Sequence, residues 1–326
     1  MKVHFSATEA LGGGHLRSIW PAESLRGAGY DATWAVGEDV PLDAEVVVVH
    51  RPLSATRAGL VHRLKAEGRT VLVDEDDALD LAWQSGNEIA RVLWDGDRKQ
   101  LHDDSIRQAD GLIVTTDALA EVYGCLNEHV YLTRNRLPEW VGRVHWWGSS
   151  EVPIVSWHGI VKTHRLDLEW LRPVSARAFA GAHVQVIGDP GALWVMGAKG
   201  QAFPYQEDLR ALYKLMARAD IGLVPLLPCR FNECKSWLKA LEYMTLGIPV
   251  VATDLPEMWK LIEHGVTGFL AESPEAFAGY VQELVNDAAL RQSMGAAAFE
   301  AAEKLALDSG EWEATVGAAQ GLLHRS

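Results

Sequence analysis

Apolar residues along this chain recur as short runs separated by stretches of helical period, and the runs are of one kind. Glu45–His50 (EVVVVH) is continuous and β-branched with no polar alternation, the pattern of a strand covered on both faces of a parallel sheet. Similar runs occupy Met1–Ala7, Gly29–Val36, Thr70–Val73, Ala109–Thr116 and Val130–Leu132. A stretch with Pro138, Gly142, Gly148 and paired serines covers 137–152 and reads as a linker. The runs resume at Val152–Trp157, His183–Gly188, Ala219–Pro225 and Ile248–Thr253. Between them apolar positions keep helical spacing, as at Leu209, Leu212 and Met216, and in Ser236–Leu246 up to a stop at Gly247. The pattern predicts an α/β chain of two Rossmann-like domains in tandem, over 1–150 and 151–307, with helix from Pro274 onward. No internal repeat or low-complexity tract is visible.

Composition narrows the partners. The 326 residues are 48% hydrophobic and carry a formal charge of −14, which argues against a long surface tracking nucleic-acid phosphates but leaves a local basic groove open. No apolar run approaches the roughly 18 residues of a membrane span, and the first residues lack a charge-then-apolar leader. Cys125, Cys229 and Cys234 stand in no metal spacing. A cytoplasmic, reducing compartment is the expectation. Thirteen tryptophans are many; most are expected in cores or interfaces, although carbohydrate sites also use aromatic faces.

In open α/β sheets ligands bind beyond the carboxyl ends of the strands, and four segments bring polar residues there. Gly12-Gly13-Gly14-His15 follows the first strand without the spacing of a dinucleotide fingerprint; Arg17, just inside the next helix, is a candidate anion contact. His50 and Arg51 close the third strand. Asp74-Glu75-Asp76-Asp77 follow the fourth, where four adjacent acids repel one another; acceptor hydroxyl binding, a metal site and a solvated turn are the three readings. Lys235 stands at the expected start of the Ser236–Leu246 helix, with Glu242 seven residues on and about 10 Å along the axis. That spacing suits a nucleoside diphosphate laid along the helix, its phosphates at Lys235 and its ribose diol at Glu242. The alternative is an amphipathic helix with both side chains solvated. His164 with Asp167 reads either as a cap or as part of a site.

One stretch carries a resemblance. Leu241-Glu242-Tyr243-Met244-Thr245-Leu246-Gly247-Ile248-Pro249-Val250-Val251 resembles the donor-binding region of retaining GT-B-fold glycosyltransferases of family 4, or group 1. Their pattern pairs this glutamate with another eight residues earlier, where this chain has Cys234. Instead Asn232-Glu233-Cys234-Lys235-Ser236 resembles the Asn-x-x-Lys-Ser element of short phage and bacterial members, and Asp76-Asp77 followed by Trp83 resembles their Asp-Asp element. The resemblance implies a GT-B enzyme whose two domains face across a cleft, with part of 308–326 packing back on the first domain. It implies a donor, a UDP- or GDP-sugar, held by Asn232, Lys235, Ser236, Glu242, Gly159, Lys162, Gly13, Gly14 and the loop at Tyr205. It implies an acceptor side at Arg17, Arg51, Asp76 and Asp77, with Lys235, Asp76, Asp77 and His50 as catalytic candidates and no metal ion or tightly bound cofactor.

The activity expected is transfer of a sugar, with retention, to a hydroxyl of a protein or glycan. Transfer to hydroxymethylated pyrimidines in DNA is the alternative, resting on Arg134, Arg136 and Arg143 near the linker and on His62, Arg63, Lys65 and Arg69. A non-catalytic sugar-nucleotide or glycan binder on the same fold, and a GT-B epimerase, are the rivals from outside transfer.

Overall fold

The computed structural model describes residues 1–89, 97–144, 151–305 and 310–323. It contains two six-stranded sheets, all parallel. The first comprises β1 (Lys2–Ala7), β2 (Asp31–Val36), β3 (Val46–His50), β4 (Thr70–Glu75), β5 (Gly111–Val114) and β6 (Val130–Leu132), in the order β2-β1-β3-β4-β5-β6. The second comprises β7 (Ile154–Gly159), β8 (His183–Gly188), β9 (Gly200–Pro204), β10 (Ile221–Val224), β11 (Val250–Thr253) and β12 (Gly268–Ala271), in the order β12-β11-β10-β7-β8-β9. In each sheet the order reverses beside its first strand, and a crevice opens outside the carboxyl ends at such a switch point.

The buried run at β3 shows how the first sheet is covered. Val47 and Val49 join one cluster with Leu60, Leu64 and Ile106, while Val46 and Val48 join another with Val3, Phe5 and Leu25. Successive side chains point to opposite faces, so a strand roofed on both sides has no polar position to spare. The second cluster is completed by Trp312, Val316 and Ala319 from the helix Glu311–Leu323, which returns from the end of the chain to the first sheet. Phe231 and Cys234 cross the other way: they belong to the segment leading into β11, yet lie fully buried in the first domain's core. Thr116 donates to the Cys234 carbonyl at 3.0 Å, and the Phe231 amide donates to Gln84 at 3.1 Å, so this segment is seated on both domains.

Three features depart from the sequence reading. The helix expected over Ser236–Leu246 spans Leu238–Thr245, because the Trp237 indole donates to the Asn135 carbonyl at 3.0 Å and Asn135 donates to the Ser236 hydroxyl at 2.8 Å, which holds both residues in the preceding bend. Gly200–Pro204 forms the edge strand β9, where Pro204 closes a strand with one free side. Past the last run read from the sequence, Gly265 (φ +79°) makes a turn that leads into a further parallel strand, β12. Of the expected linker, 145–150 lie outside the described residues, as do 306–309 and 324–326. No helix among the described residues is long and apolar enough to cross a membrane.

Beneath the first sheet's carboxyl edge lies a fully buried ion pair. Arg17 grips Asp74 through Nε at 3.0 Å and Nη2 at 2.5 Å, and its Nη1 donates to the Thr133 carbonyl and the Asn135 side chain. Both side chains are 0% exposed. Arg17→Met strands an unpaired carboxylate and is expected to cost about 3–5 kcal/mol in urea unfolding, whereas Arg17→Met with Asp74→Leu recovers most of that loss. Equal losses in the single and double variants would show that packing, not charge, sets the cost.

Candidate active site

A cavity of about 350 Å³ separates the carboxyl ends of the two sheets. The first domain lines it with Gly12, Gly13, Arg51, Asp76 and Asp77, and the second with Thr163, His164, Lys235, Ser236 and Lys239. A larger cavity, about 610 Å³, lies against the linker at Leu137–Arg143 and touches none of these groups.

On the first wall the four consecutive acids are separated by the strand that carries them. Asp74 and Glu75 end β4 and so face opposite sides: Asp74 meets Arg17, and Glu75 meets His102 Nε2 at 3.2 Å. Burial opposes the His102 charge, but Glu75 and Asp103 push its pKa up to about 9. Only Asp76 and Asp77, past the strand end, reach the cavity. Arg51 joins them, with Nε 2.6 Å from Asp76 Oδ1 and Nη2 2.8 Å from Asp77 Oδ2. Arg51 is the one non-glycine residue with positive φ among the described residues, at +47°. His50 lies beneath, fully buried, with Nε2 3.1 Å from Asp76 and Nδ1 3.1 Å from the Thr8 hydroxyl. Burial acts to raise the Asp76 pKa, but Arg51 and His50 hold it well below the usual carboxylate range. Asp76 is a fixed anion and a hydrogen-bond acceptor, poorly suited to act as a base. Gly13 sits over this pair, where a Cβ would lie 3.2 Å from His50 and 3.5 Å from Asp76.

The second wall carries two ammonium groups. Lys235 Nζ lies 3.3 Å from Asp77 Oδ1, an ion pair across the cleft, and 4.4 Å from the centroid of the Phe231 ring. Lys239, the second residue of the helix, donates to the His158 carbonyl at 3.0 Å and faces His164 Nε2 at 2.9 Å. Burial, and then the like charge of Lys235, lower the Lys239 pKa to about 8. A Cβ on Gly159 (φ +147°) would meet Lys239 Nζ and the Trp157 ring at 3.0 Å, so the glycine makes room for the cation.

Several sequence candidates lie elsewhere. Arg17 is committed to Asp74 and offers the cavity no contact in place of the expected anion site. Lys162 is exposed and outside the cavity lining: the chain leaving β7 turns into a helix that points His164 inward, and the lysine that lines this wall beside Lys235 is Lys239. Asn232 is buried, donating to Asp167 at 2.7 Å and to the Leu227 carbonyl at 2.8 Å. Gly14 lies behind the loop, where any Cβ would fall 1.7 Å from the Glu9 carbonyl oxygen. Tyr205 is half exposed past the end of β9, with its phenol raised by burial and by Glu9. Glu242 is buried behind the lining: it accepts from the Tyr213 hydroxyl at 3.0 Å and lies 3.2 Å from His158 Nε2. It does not share a helical face with Lys235, which precedes the helix. Lys239 went unassigned in the sequence, while His164, read there with Asp167 as a cap or as part of a site, lines the cavity. The four-residue step from Lys235 to Lys239 was the signal for the first.

Residues 158–287 match the family model described as Glycosyl transferases group 1. That stretch of the second domain is similar to the group 1 glycosyltransferases. Solved structures extend the likeness across both halves of the cleft. Sucrose-phosphate synthase from Thermosynechococcus elongatus is 15% identical with a TM-score of 0.76, over 100% of this chain and 99% of that one. Anabaena Alr3699/HepE in complex with UDP and glucose is 12% identical with a TM-score of 0.67, over 98% and 100%. TarM of S. aureus, in a complex that includes UDP, is 15% identical with a TM-score of 0.60; the match covers 82% of this chain and about half of TarM, 54%. At these identities the likeness shows the fold, which is GT-B. Gly159, Lys235, Lys239 and Glu242 all fall inside the residues matched by that family model.

The charge on Lys239 is complete below about pH 7 and is lost as pH rises through about 8. Lys235→Met removes a neighbouring like charge and is expected to raise that midpoint, read from the Lys239 13Cε resonance. A midpoint that stays put or falls would show that the two ammonium groups are not in electrostatic contact.

Proposed function

We propose that this protein transfers a sugar from a UDP-sugar to an acceptor hydroxyl with retention of configuration. What carries the reading is the pairing of Lys235 and Lys239 on one wall of the cavity with Asp76 and Asp77 on the other. The ammonium groups stand where a leaving diphosphate accumulates negative charge, so they stabilise departure more than they stabilise the bound donor. Fixed cations supply the charge a divalent ion would otherwise bring, and the reading assigns no metal. Glu242 takes the ribose end: it lies three residues beyond Lys239, and a carboxylate with two partners keeps lone pairs open for a diol. The uridine base follows the UDP bound in the HepE and TarM structures.

The acceptor enters from the first domain. Arg51 fixes both carboxylates, so an acceptor hydroxyl meets ionised, immobile acceptors rather than a base. Its proton passes to an oxygen of the departing phosphate on the same face of the sugar, and that geometry gives retention.

A protein or glycan acceptor is favoured over DNA because the basic residues expected at the cleft mouth are occupied. Arg134 pairs with Asp117 at 2.9 Å, Arg136 with Glu311, Arg143 with Glu139 at 2.9 Å, Lys65 with Asp110, and Arg69 with Glu67 at 3.1 Å. Phosphate neutralisation needs cations free to exchange partners.

Incubation with a panel of nucleotide sugars is expected to release UDP, and anomeric NMR of the product is expected to show the donor's configuration. Binding of UDP without release from any donor would mark a non-catalytic binder. Lys235→Ala is expected to lower kcat by about tenfold or more with a smaller rise in donor KM. A defect confined to KM would show that the lysine only anchors the donor.

A further inference from the structure

Behind Lys239 runs a chain of buried polar groups that the transfer reaction, as proposed, leaves unused. Asn232 Nδ2 at 2.7 Å and the Leu227 amide at 2.9 Å both donate to Asp167 Oδ1. Asp167 Oδ2 lies 2.8 Å from His164 Nδ1, and His164 Nε2 lies 2.9 Å from Lys239 Nζ. The helix Val161–Leu171 leaves helical geometry to make this arrangement: His164 has φ −136° and ψ 21° within it, and its ring turns inward, edge-on to Trp157 at 6.0 Å.

Hydrogen positions follow from the donors present. An ammonium only donates, so Nε2 of His164 must be bare and Nδ1 must carry the hydrogen, which it gives to Asp167. Of the three ammonium hydrogens of Lys239, one goes to His164 and one to the His158 carbonyl. One remains for the cavity that Lys239 lines.

We propose that Asp167 and His164 are positioning residues, which by fixing this tautomer keep Lys239 a cation with one hydrogen aimed into the cleft. That the cation there meets a diphosphate rests on the function proposed above; the tautomer and the charge do not. Burial and the Lys239 charge lower the His164 pKa to about 4, so the ring is neutral at working pH. The charged and titratable groups acting on Lys239 are Lys235 and Glu242 from its own segment, and His164 and Asp167 from the helix opposite.

Asp167→Asn tests the arrangement sharply. Two donors converge on Oδ1, so the amide oxygen must sit there and the amide nitrogen must face His164. Nδ1 then becomes the acceptor and Nε2 gains the hydrogen, which points at the ammonium and favours the neutral amine.

Three measurements decide the matter. In the wild-type chain, histidine 15N spectra are expected to show Nε2 of His164 unprotonated from about pH 5.5 to 9; a protonated Nε2 would overturn the proposal even if no variant folds. Asp167→Asn is expected to lower the Lys239 13Cε midpoint by about one unit or more. It is also expected to weaken UDP binding about threefold or more at pH 7.5 but less than twofold at pH 5.5, each against wild type at the same pH. In a His164→Ala background the same substitution is expected to move the midpoint much less. A shift of equal size there would show that Asp167 acts by its charge alone and not through the ring. If wild type binds no UDP at any pH, the diphosphate reading falls and the tautomer and midpoint alone decide this proposal.

Discussion

Four carboxylates in a row cannot share one environment, and the first domain is built around keeping them apart. Asp74 goes to Arg17 from the helical turn after the glycine loop, Glu75 to His102, Asp76 to Arg51 and His50, and Asp77 to Arg51 and Lys235. These partners come from four places in the fold, so the acids stitch together the helical turn after the glycine loop, the end of β3, the helix Arg98–Gln108 and the second domain. The alternation of the strand sends the first two inward on opposite faces. What is left at the strand end is a pair of carboxylates tied by Arg51, facing the cleft.

The second domain meets that anionic wall through a segment anchored in the first. Phe231 and Cys234 are packed in the first domain's core, and Lys235 follows at once. Trp237 is held by the Asn135 carbonyl, with Arg134 and Arg136 beside its ring at 5.4 and 5.8 Å. The separation of Lys235 from Asp77 is thereby set by backbone seated on both sides, not by two flexible side chains finding each other in solvent. Charge placed in advance costs little reorganisation when a reaction develops charge of the opposite sign.

Much of this was legible in the residues. EVVVVH could only be a strand roofed on both faces, and Gly247-Ile248-Pro249-Val250-Val251 marked a turn into another. The carboxyl-end positions of His50, Arg51, Asp76 and Asp77 followed from strand order, as did the glycine loop. What did not follow was partnership. Arg17 looked like a free cation because Asp74, fifty-seven residues away, is its neighbour only in the fold. Lys162 and Lys239 are equally basic in sequence; the kink at His164 turns one out and leaves the other facing the cleft. The arginines near the linker read as a basic cluster; Arg143 has its acid one turn back at Glu139, but Arg134 and Arg136 meet Asp117 and Glu311, 17 and 175 residues away, only in the fold.

A crystal structure with UDP bound tests the central claim, that this cleft is a diphosphate site formed by two domains. The β-phosphate is expected within about 3 Å of Lys235 or Lys239 Nζ, with Asp77 released from Lys235 and still held by Arg51. UDP found in the linker cavity, or in the cleft with its phosphates away from both lysines, would contradict it.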